Sequence, residues 1–249
     1  MHLANTSAIV TGGASGLGAA TAAALASQGV IVHAFDLSAP NTDQPGVTFA
    51  SVDVTNGDDV QQAVDNVVRS GPPLRVVVNC AGIAPSMRIL GRKGPHDLGL
   101  FAKVIEVNLV GTFTVLTLAA QRIAETSADE NGQRGVIINT ASIAAFEGQV
   151  GQAAYAASKG GIAALTLQAA RDLAEFGIRV CTIAPGIVDS PMLATISEEF
   201  REGLAASVPF PARLGRPDEY AQLALSIVDH DYLNGETIRM DGALRMAPR

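Results

Sequence analysis

Short apolar runs rich in β-branched residues alternate along the chain with longer segments rich in alanine and leucine. SAIVTGG, residues 7 to 13, reads as a strand ending in a glycine turn. GLGAATAAALASQG, 16 to 29, reads as a helix closed by Gly29. VIVHAFD (30 to 36) and VTFASVDV (47 to 54) read as the second and third strands. GDDVQQAVDNVVRSG (57 to 71) reads as a helix whose Asp58 and Asp59 suit its positive N-terminal end. LRVVVNCAG (74 to 82) is the fourth strand, and the stretch from Leu100 to Glu125 is long enough for a long helix. GVIINTAS (135 to 142) is the fifth strand, 152 to 177 the next helix, and IRVCTIAPG (178 to 186) the sixth strand. A less regular region, 187 to 216, precedes a helix over 218 to 229 and a last short strand, ETIRMDG (236 to 242).

Strand and helix thus alternate about seven times, and the strands lack polar alternation, as strands buried on both faces do. The pattern predicts a single α/β domain over residues 1 to 249. It is expected to be a Rossmann-type, doubly wound sheet of about seven parallel strands, with helices on both faces and ligands outside the carboxyl ends of the strands. The Pro/Gly-rich stretches 40 to 46, 91 to 99 and 207 to 217 are short and read as loops. Region 187 to 216 follows the sixth strand and is expected to form a substrate lid.

Composition narrows the function classes. Of 249 residues, 48% are hydrophobic and 16% charged, which suits a folded core and excludes a disordered segment. A net charge of −7 argues against a nucleic-acid partner bound through a broad basic face. Two cysteines, Cys80 and Cys181, make neither a disulfide framework nor the usual zinc site, and each sits in or beside an apolar run. They read as reduced, buried thiols. The N-terminal stretch has no charged region followed by a long apolar one, and no apolar run is free of polar residues over the length of a membrane span. The expectation is a cytoplasmic protein with no membrane contact and no metal.

Candidate chemistry begins at the first strand-to-helix turn, TGGASGLG, where Gly12, Gly16 and Gly18 have the spacing G-x-x-x-G-x-G. Glycine lets the backbone approach a pyrophosphate, and the following helix N-terminus offers free N–H groups and a positive dipole end. Between a strand and a helix this is the context a dinucleotide site requires. Asp36 ends the second strand about twenty residues on, where a carboxylate accepts from a ribose 2′-OH and repels a 2′-phosphate. Ala14, Ser15 and Leu37 stand where a base would greet that phosphate, so NAD is expected over NADP. Asp53, with Val54, closes the third strand within reach of an adenine edge. Cys80, Ala81 and Gly82 end the fourth with small residues that let a cofactor lie against backbone.

Ser142 ends the fifth strand, Tyr155 follows thirteen residues later on the next helix, and Lys159 lies one turn further on the same face. Oxidising an alcohol to a ketone needs a base for the hydroxyl proton. Tyr155 serves if its pKa falls from about 10 toward 7, worth roughly 4 kcal/mol. Lys159 and the positive nicotinamide ring of the oxidised cofactor are expected to supply that fall, and Ser142 to hold the substrate oxygen near the phenol. Asn108 is polar within an apolar helix, either as a satisfied core amide or as a water-holding link in a proton relay to Lys159.

Together, TGGASGLG, Asp36, NCAG, Asn108, Ser142, Y155-A-A-S-K159 and the Pro185–Gly186 pair, in this order along the chain, resemble the short-chain dehydrogenase/reductase family. Cys80 departs from the many members that carry a second Asn there. GQRGVIINTAS, AAFEGQVGQAAY, VPFP with RLG, and LNGE with the C-terminal DGA place the likeness in the family's type-2 3-hydroxyacyl-CoA dehydrogenase branch. The resemblance implies NAD as cofactor, an L-3-hydroxyacyl-CoA substrate in fatty acid metabolism, side activity on steroids or other alcohols, and a homotetramer. It implies catalytic roles for Asn108, Ser142, Tyr155 and Lys159. It implies cofactor contacts for Ser15, Leu17, Asp36, Asp53, Val54, Cys80, Val188 and Ser190, alongside the glycine loop, Tyr155, Lys159, Pro185 and Gly186. Alternatives are a hydroxysteroid or general alcohol dehydrogenase, a 3-oxoacyl-carrier-protein reductase, which usually wants NADPH, and an NAD(H)-binding sensor or scaffold. The lid mixes Met192, Leu193, Ile196 and Leu204 with charge and suits an acyl chain or a steroid. Arg92 and Lys93, on the ligand edge, are either a solvated basic turn or contacts for CoA phosphates.

Overall fold

The central strands are long apolar runs because helices cover both of their faces. In chain order the strands are β1 (Ser7–Thr11), β2 (Ile31–Asp36), β3 (Val47–Ser51), β4 (Leu74–Asn79), the two-residue β5 (Leu90–Gly91) and β6 (Gly94–Pro95), β7 (Gly135–Thr140), β8 (Ile178–Pro185) and β9 (Thr237–Met240). β1, β7 and β8 are buried throughout. Seven of the strands form one parallel sheet in the order β3–β2–β1–β4–β7–β8–β9, and β5 and β6 pair as a small antiparallel hairpin. The computed structural model describes residues 1, 3–42, 44–92, 94–193 and 197–248, with Met192 described in its backbone alone. Lys93, Ile196 and the side chain of Met192 therefore lie outside the described residues.

The helices are α1 (Gly16–Ser27), α2 (Gly57–Ser70), α3 (Leu98–Ile105), α4 (Gly111–Ala124), α5 (Ala153–Asp172), α6 (Glu198–Ala206) and α7 (Pro217–Asp229). α2 shows why such segments dock. Val60, Val64 and Val67 recur on one face and are buried, each worth about 1.5 kcal/mol of apolar burial. Its Asn56 cap accepts from the N–H groups of Asp58 and Asp59 at 3.1 and 3.3 Å. Alternate positions of one strand serve opposite layers. Ile9 packs with α2, α4 and α5, whereas Ala8 and Val10 pack with Leu25 of α1 and Tyr220 and Ile227 of α7.

Five elements depart from the sequence reading, the first being the β5–β6 hairpin, which stands in a stretch read as a loop. β3 stops at Ser51, three residues before Val54: Val52 N makes the last bond to β2, at Asp36 O, and the next N–H, that of Asp53, turns to Asp59 Oδ2. The edge strands β3 and β9 are only partly buried, since a neighbour covers one side alone. The long helix runs continuously from Leu98 to Ala124 through a π-turn at Glu106–Val110. At 27 residues, with a mean hydropathy of 1.5 over an 18-residue stretch, it is long and apolar enough to cross a membrane, although no purely apolar run marks it in the sequence. Val115, Leu116, Ala119, Ala120 and Ile123 on it face the core. Finally, α6 interrupts the lid region; none of its residues is buried, and its apolar face is no more than Phe200 and Leu204 with the alanines beside them.

Candidate active site

The carboxyl ends of β1 and β4 mark the point where the strand order reverses, and the glycine loop lies there. Gly12 has φ +63°, a conformation that favours glycine, and a Cβ on it would stand 2.9 Å from backbone atoms of Cys80 and Ala81. A Cβ on Gly18 would overlap the carbonyl of Gly12. The loop is thus packed backbone on backbone. Ser15 precedes α1 in an extended conformation and makes no side-chain capping bond among the described residues, which leaves the first N–H groups of α1, that of Leu17 among them, without a side-chain acceptor and suited to an anion. Ser190 and Pro191, at the start of the lid, come back over this loop to within 3.5 Å of where a Cβ on Gly16 would sit. Asp36 Oδ2 accepts from the Ala14 N–H at 3.1 Å and Oδ1 from the Ser38 N–H at 3.4 Å, so its carboxylate stands beside the loop. These backbone donors, the crowded glycines and the flanking carboxylate fit a nicotinamide dinucleotide.

Other predicted cofactor residues are placed more variously. Asp53 Oδ1 accepts from Thr55 Oγ1 at 2.7 Å and Thr55 N at 2.9 Å, and these bonds hold the carboxyl below its usual range. It closes its own turn as well as facing the ligand edge. Val54 is buried in the core against Gly111. Thr11, absent from the predicted set, organises the end of β4. Its Oγ1 accepts from Cys80 N at 3.1 Å and Ala81 N at 3.2 Å, and donates to Asn79 Oδ1 at 3.5 Å. Cys181 is buried and Cys80 half-buried, and burial pushes both thiols up. Val188 pairs with Gly215 across the neck of the lid, and Gly186, after Pro185, sits against Asp241, where a Cβ would find 2.9 Å.

Ser142, Tyr155, Lys159 and Asn108 come together between β7 and α5. Ser142 leaves β7 extended, and its Oγ accepts from Ala144 N at 3.1 Å, which leaves the hydroxyl hydrogen free to donate. Lys159 is buried; its Nζ donates to Thr140 O at 2.7 Å and lies 5.8 Å from the centre of the Tyr155 ring. Burial lowers the Lys159 pKa to about 8. Burial raises that of Tyr155, opposed by a hydrogen bond with Ser142. The expected fall of the phenol's pKa draws on Lys159 and the oxidised cofactor's ring; in the chain alone desolvation outweighs the hydrogen bond. Asn108 sits in the π-turn, fully buried. Its Oδ1 accepts from Ile83 N at 2.8 Å, and its Nδ2 donates to Ile83 O at 2.9 Å and Ser158 Oγ at 3.0 Å. The amide is therefore satisfied and clamps the end of β4 to α5. Arg92 is exposed at the hairpin.

Residues 6–201 match the family model described as short chain dehydrogenase. The chain belongs to the short-chain dehydrogenase family. It is similar to the human protein named 3-hydroxyacyl-CoA dehydrogenase type-2, with 51% identity over 97% of this chain and 95% of the relative. A Drosophila melanogaster protein of the same name is 48% identical over 98% of this chain and 99% of its own length. The crystal structure of 3-hydroxyacyl-CoA dehydrogenase type-2 from Mycobacterium avium superposes with a TM-score of 0.92 at 43% identity, covering 98% of both chains. As a short-chain dehydrogenase the protein is an oxidoreductase, and the family uses nicotinamide cofactors generally. Of the groups that shape this dehydrogenase's site, Thr140 was not legible in the sequence, because it holds Lys159 through a main-chain carbonyl. Ser158, between Tyr155 and Lys159, stood in the Y-A-A-S-K stretch and carried the signal of a lone hydroxyl on an apolar helix.

Proposed function

We propose that this short-chain dehydrogenase interconverts an L-3-hydroxyacyl-CoA and the corresponding 3-oxoacyl-CoA with NAD(H). The observation that carries the reading is the meeting of Ser142, Tyr155 and Lys159 beside a glycine loop flanked by Asp36. Whole-length relatives named 3-hydroxyacyl-CoA dehydrogenase type-2 support the substrate class.

When bound, the nicotinamide dinucleotide accepts or supplies the hydride. The chain does the rest. Ser142 donates its free hydroxyl hydrogen to the substrate oxygen and keeps it near Tyr155. Tyr155 takes the hydroxyl proton in oxidation and returns it in reduction. Lys159, held by Thr140 O, presents its ammonium to the ring and stabilises the phenolate. Asn108 acts by fixing α5, and through it Tyr155, against the end of β4. Asp36 selects NAD, because a 2′-phosphate beside its carboxylate meets like charge. The half-exposed apolar side chains of Val110, Phe113 and Leu167, on the π-turn, α4 and α5, support assembly as a homotetramer.

The test follows NADH absorbance with acetoacetyl-CoA, with NADPH in parallel. Rapid turnover with NADH alone, abolished in Tyr155→Phe while NADH still binds, is expected. No turnover with either cofactor overturns the substrate, and equal use of NADPH overturns the role of Asp36.

A further inference from the structure

Ser142 and Tyr155 work as a pair, yet the chain joining them is irregular. A three-residue 3-10 turn, Ile143–Ala145, follows Ser142, and regular helix resumes only at Ala153. Something outside this connection has to hold its middle in place. That contact is Glu147, five residues after Ser142, whose Oε1 and Oε2 accept from the Nη1 and Nη2 of Arg239 at 2.9 and 2.8 Å.

Arg239 comes from β9, on the edge of the sheet. Its Nε donates to Asp241 Oδ2 at 2.7 Å and its Nη2 to Leu244 O at 3.1 Å, and its guanidinium stacks over the Phe146 ring at 5.2 Å. One side chain thereby grips Glu147, the neighbouring Phe146, and the C-terminal segment. The same segment reaches the connection again, through Val150 N to Pro248 O and Gln149 Nε2 to Ala247 O, both 3.0 Å. Under this knot a small apolar cluster packs Ile143, next to Ser142, with Leu244 and with Val208 of the lid.

We infer that Arg239 is a positioning residue for the reaction: through Glu147 it sets the reach of the Ser142 hydroxyl to the Tyr155 phenol. The inference rests on the proposed roles of Ser142 and Tyr155. Only a planar fork makes these contacts at once; a lysine keeps the charge but not the bidentate grip or the stacking. The charged groups facing the guanidinium are Glu147, Asp241 and, through both of them, Arg245. The charged group facing Tyr155 among the described residues is Lys159, which donates to Thr140 O and makes no hydrogen bond to the knot.

The hydrogen bond with Ser142 favours the Tyr155 phenolate. Loosening that bond moves the phenol titration upward, whereas a loss of stability alone lowers the amount of folded protein and leaves the titration in place. The experiment is ultraviolet difference titration of the phenol in the cofactor-free protein, using Tyr155→Phe as the blank. It compares the wild type with Arg239→Lys, Arg239→Met and Glu147→Gln. All three variants are expected to move the Tyr155 titration up by about half a pH unit. kcat on the wild type's best substrate is expected to fall about tenfold, and NADH affinity to stay within about twofold. Arg239→Lys and Glu147→Gln keep the test readable where Arg239→Met does not fold. An unmoved titration in both of these folded variants overturns the inference. A wild type inactive on acetoacetyl-CoA overturns only the substrate reading, because the titration needs no substrate.

Discussion

Replacing Lys159 by methionine removes the cation that faces Tyr155 among the described residues and keeps most of the side chain's length. The ammonium lies 5.8 Å from the ring centre. At an effective dielectric constant of about 20, unit charges at that distance interact by about 3 kcal/mol, or roughly two pKa units. Burial already pushes the phenol up, so nothing else in the site replaces the loss. The base must be deprotonated to accept a proton, so a raised pKa carries the acid limb of kcat for alcohol oxidation to higher pH. Lys159→Met is therefore expected to lose about 100-fold in kcat near neutral pH, and the deficit is expected to shrink as pH rises toward the phenol's own titration. The methionine also leaves Thr140 O without its 2.7 Å donor, which costs about 1–3 kcal/mol of stability. A thermal midpoint measured beside the kinetics separates that loss from the electrostatic one. A deficit of only a few fold, or one that does not change with pH, would refute an electrostatic role for Lys159.

Three further outcomes are expected. Asp36→Ala should raise kcat/KM with NADPH relative to NADH by at least about tenfold, because a like-charge contact is removed; an unchanged ratio would place cofactor choice elsewhere. Gly18→Ala should weaken NADH binding by at least about tenfold in a fluorescence titration, since its Cβ overlaps rigid backbone at Gly12; unaltered affinity would mean that the loop shifts freely. Glu219, whose carboxylate binds Arg213 at 2.6 and 2.9 Å, has its pKa lowered from 4.5 to about 2. Its folded pKa is depressed, so its contribution to stability is complete above about pH 4.5 and is lost as pH falls toward 2. In that window thermal midpoints of the wild type should fall more steeply than those of Glu219→Gln, and parallel curves would show that the pair contributes nothing.

Most of the fold was legible because its signals are local. A strand covered on both faces has to be apolar along its whole length, and β1, β7 and β8 are. The positive N-terminal end of a helix suits acidic residues, and Asp58 and Asp59 marked the start of α2. The elements that escaped have weak local signals. α6 buries nothing, the β5–β6 hairpin is two residues deep, and the π-turn at Glu106–Val110 differs from α-helix by a single hydrogen-bond register.

By itself the sequence determined which chemical groups the site contains and the order in which strands deliver them: the glycine loop, Asp36, Ser142, Tyr155 and Lys159. Spacing is enough for that, because residues four apart share a helix face and strand ends share a sheet edge. Tertiary structure alone decided what those groups experience. Burial, set by elements distant in sequence, pulls Lys159 down to about 8 and pushes Tyr155 up, an effect that no residue spacing carries. It also decided that Lys159 hangs from Thr140 O, that Asn108 is a clamp between Ile83 and Ser158, and that Arg239, 84 positions beyond Tyr155, reaches the connection through Glu147. Electrostatic energies depend on distance and desolvation, and both are properties of the assembled chain.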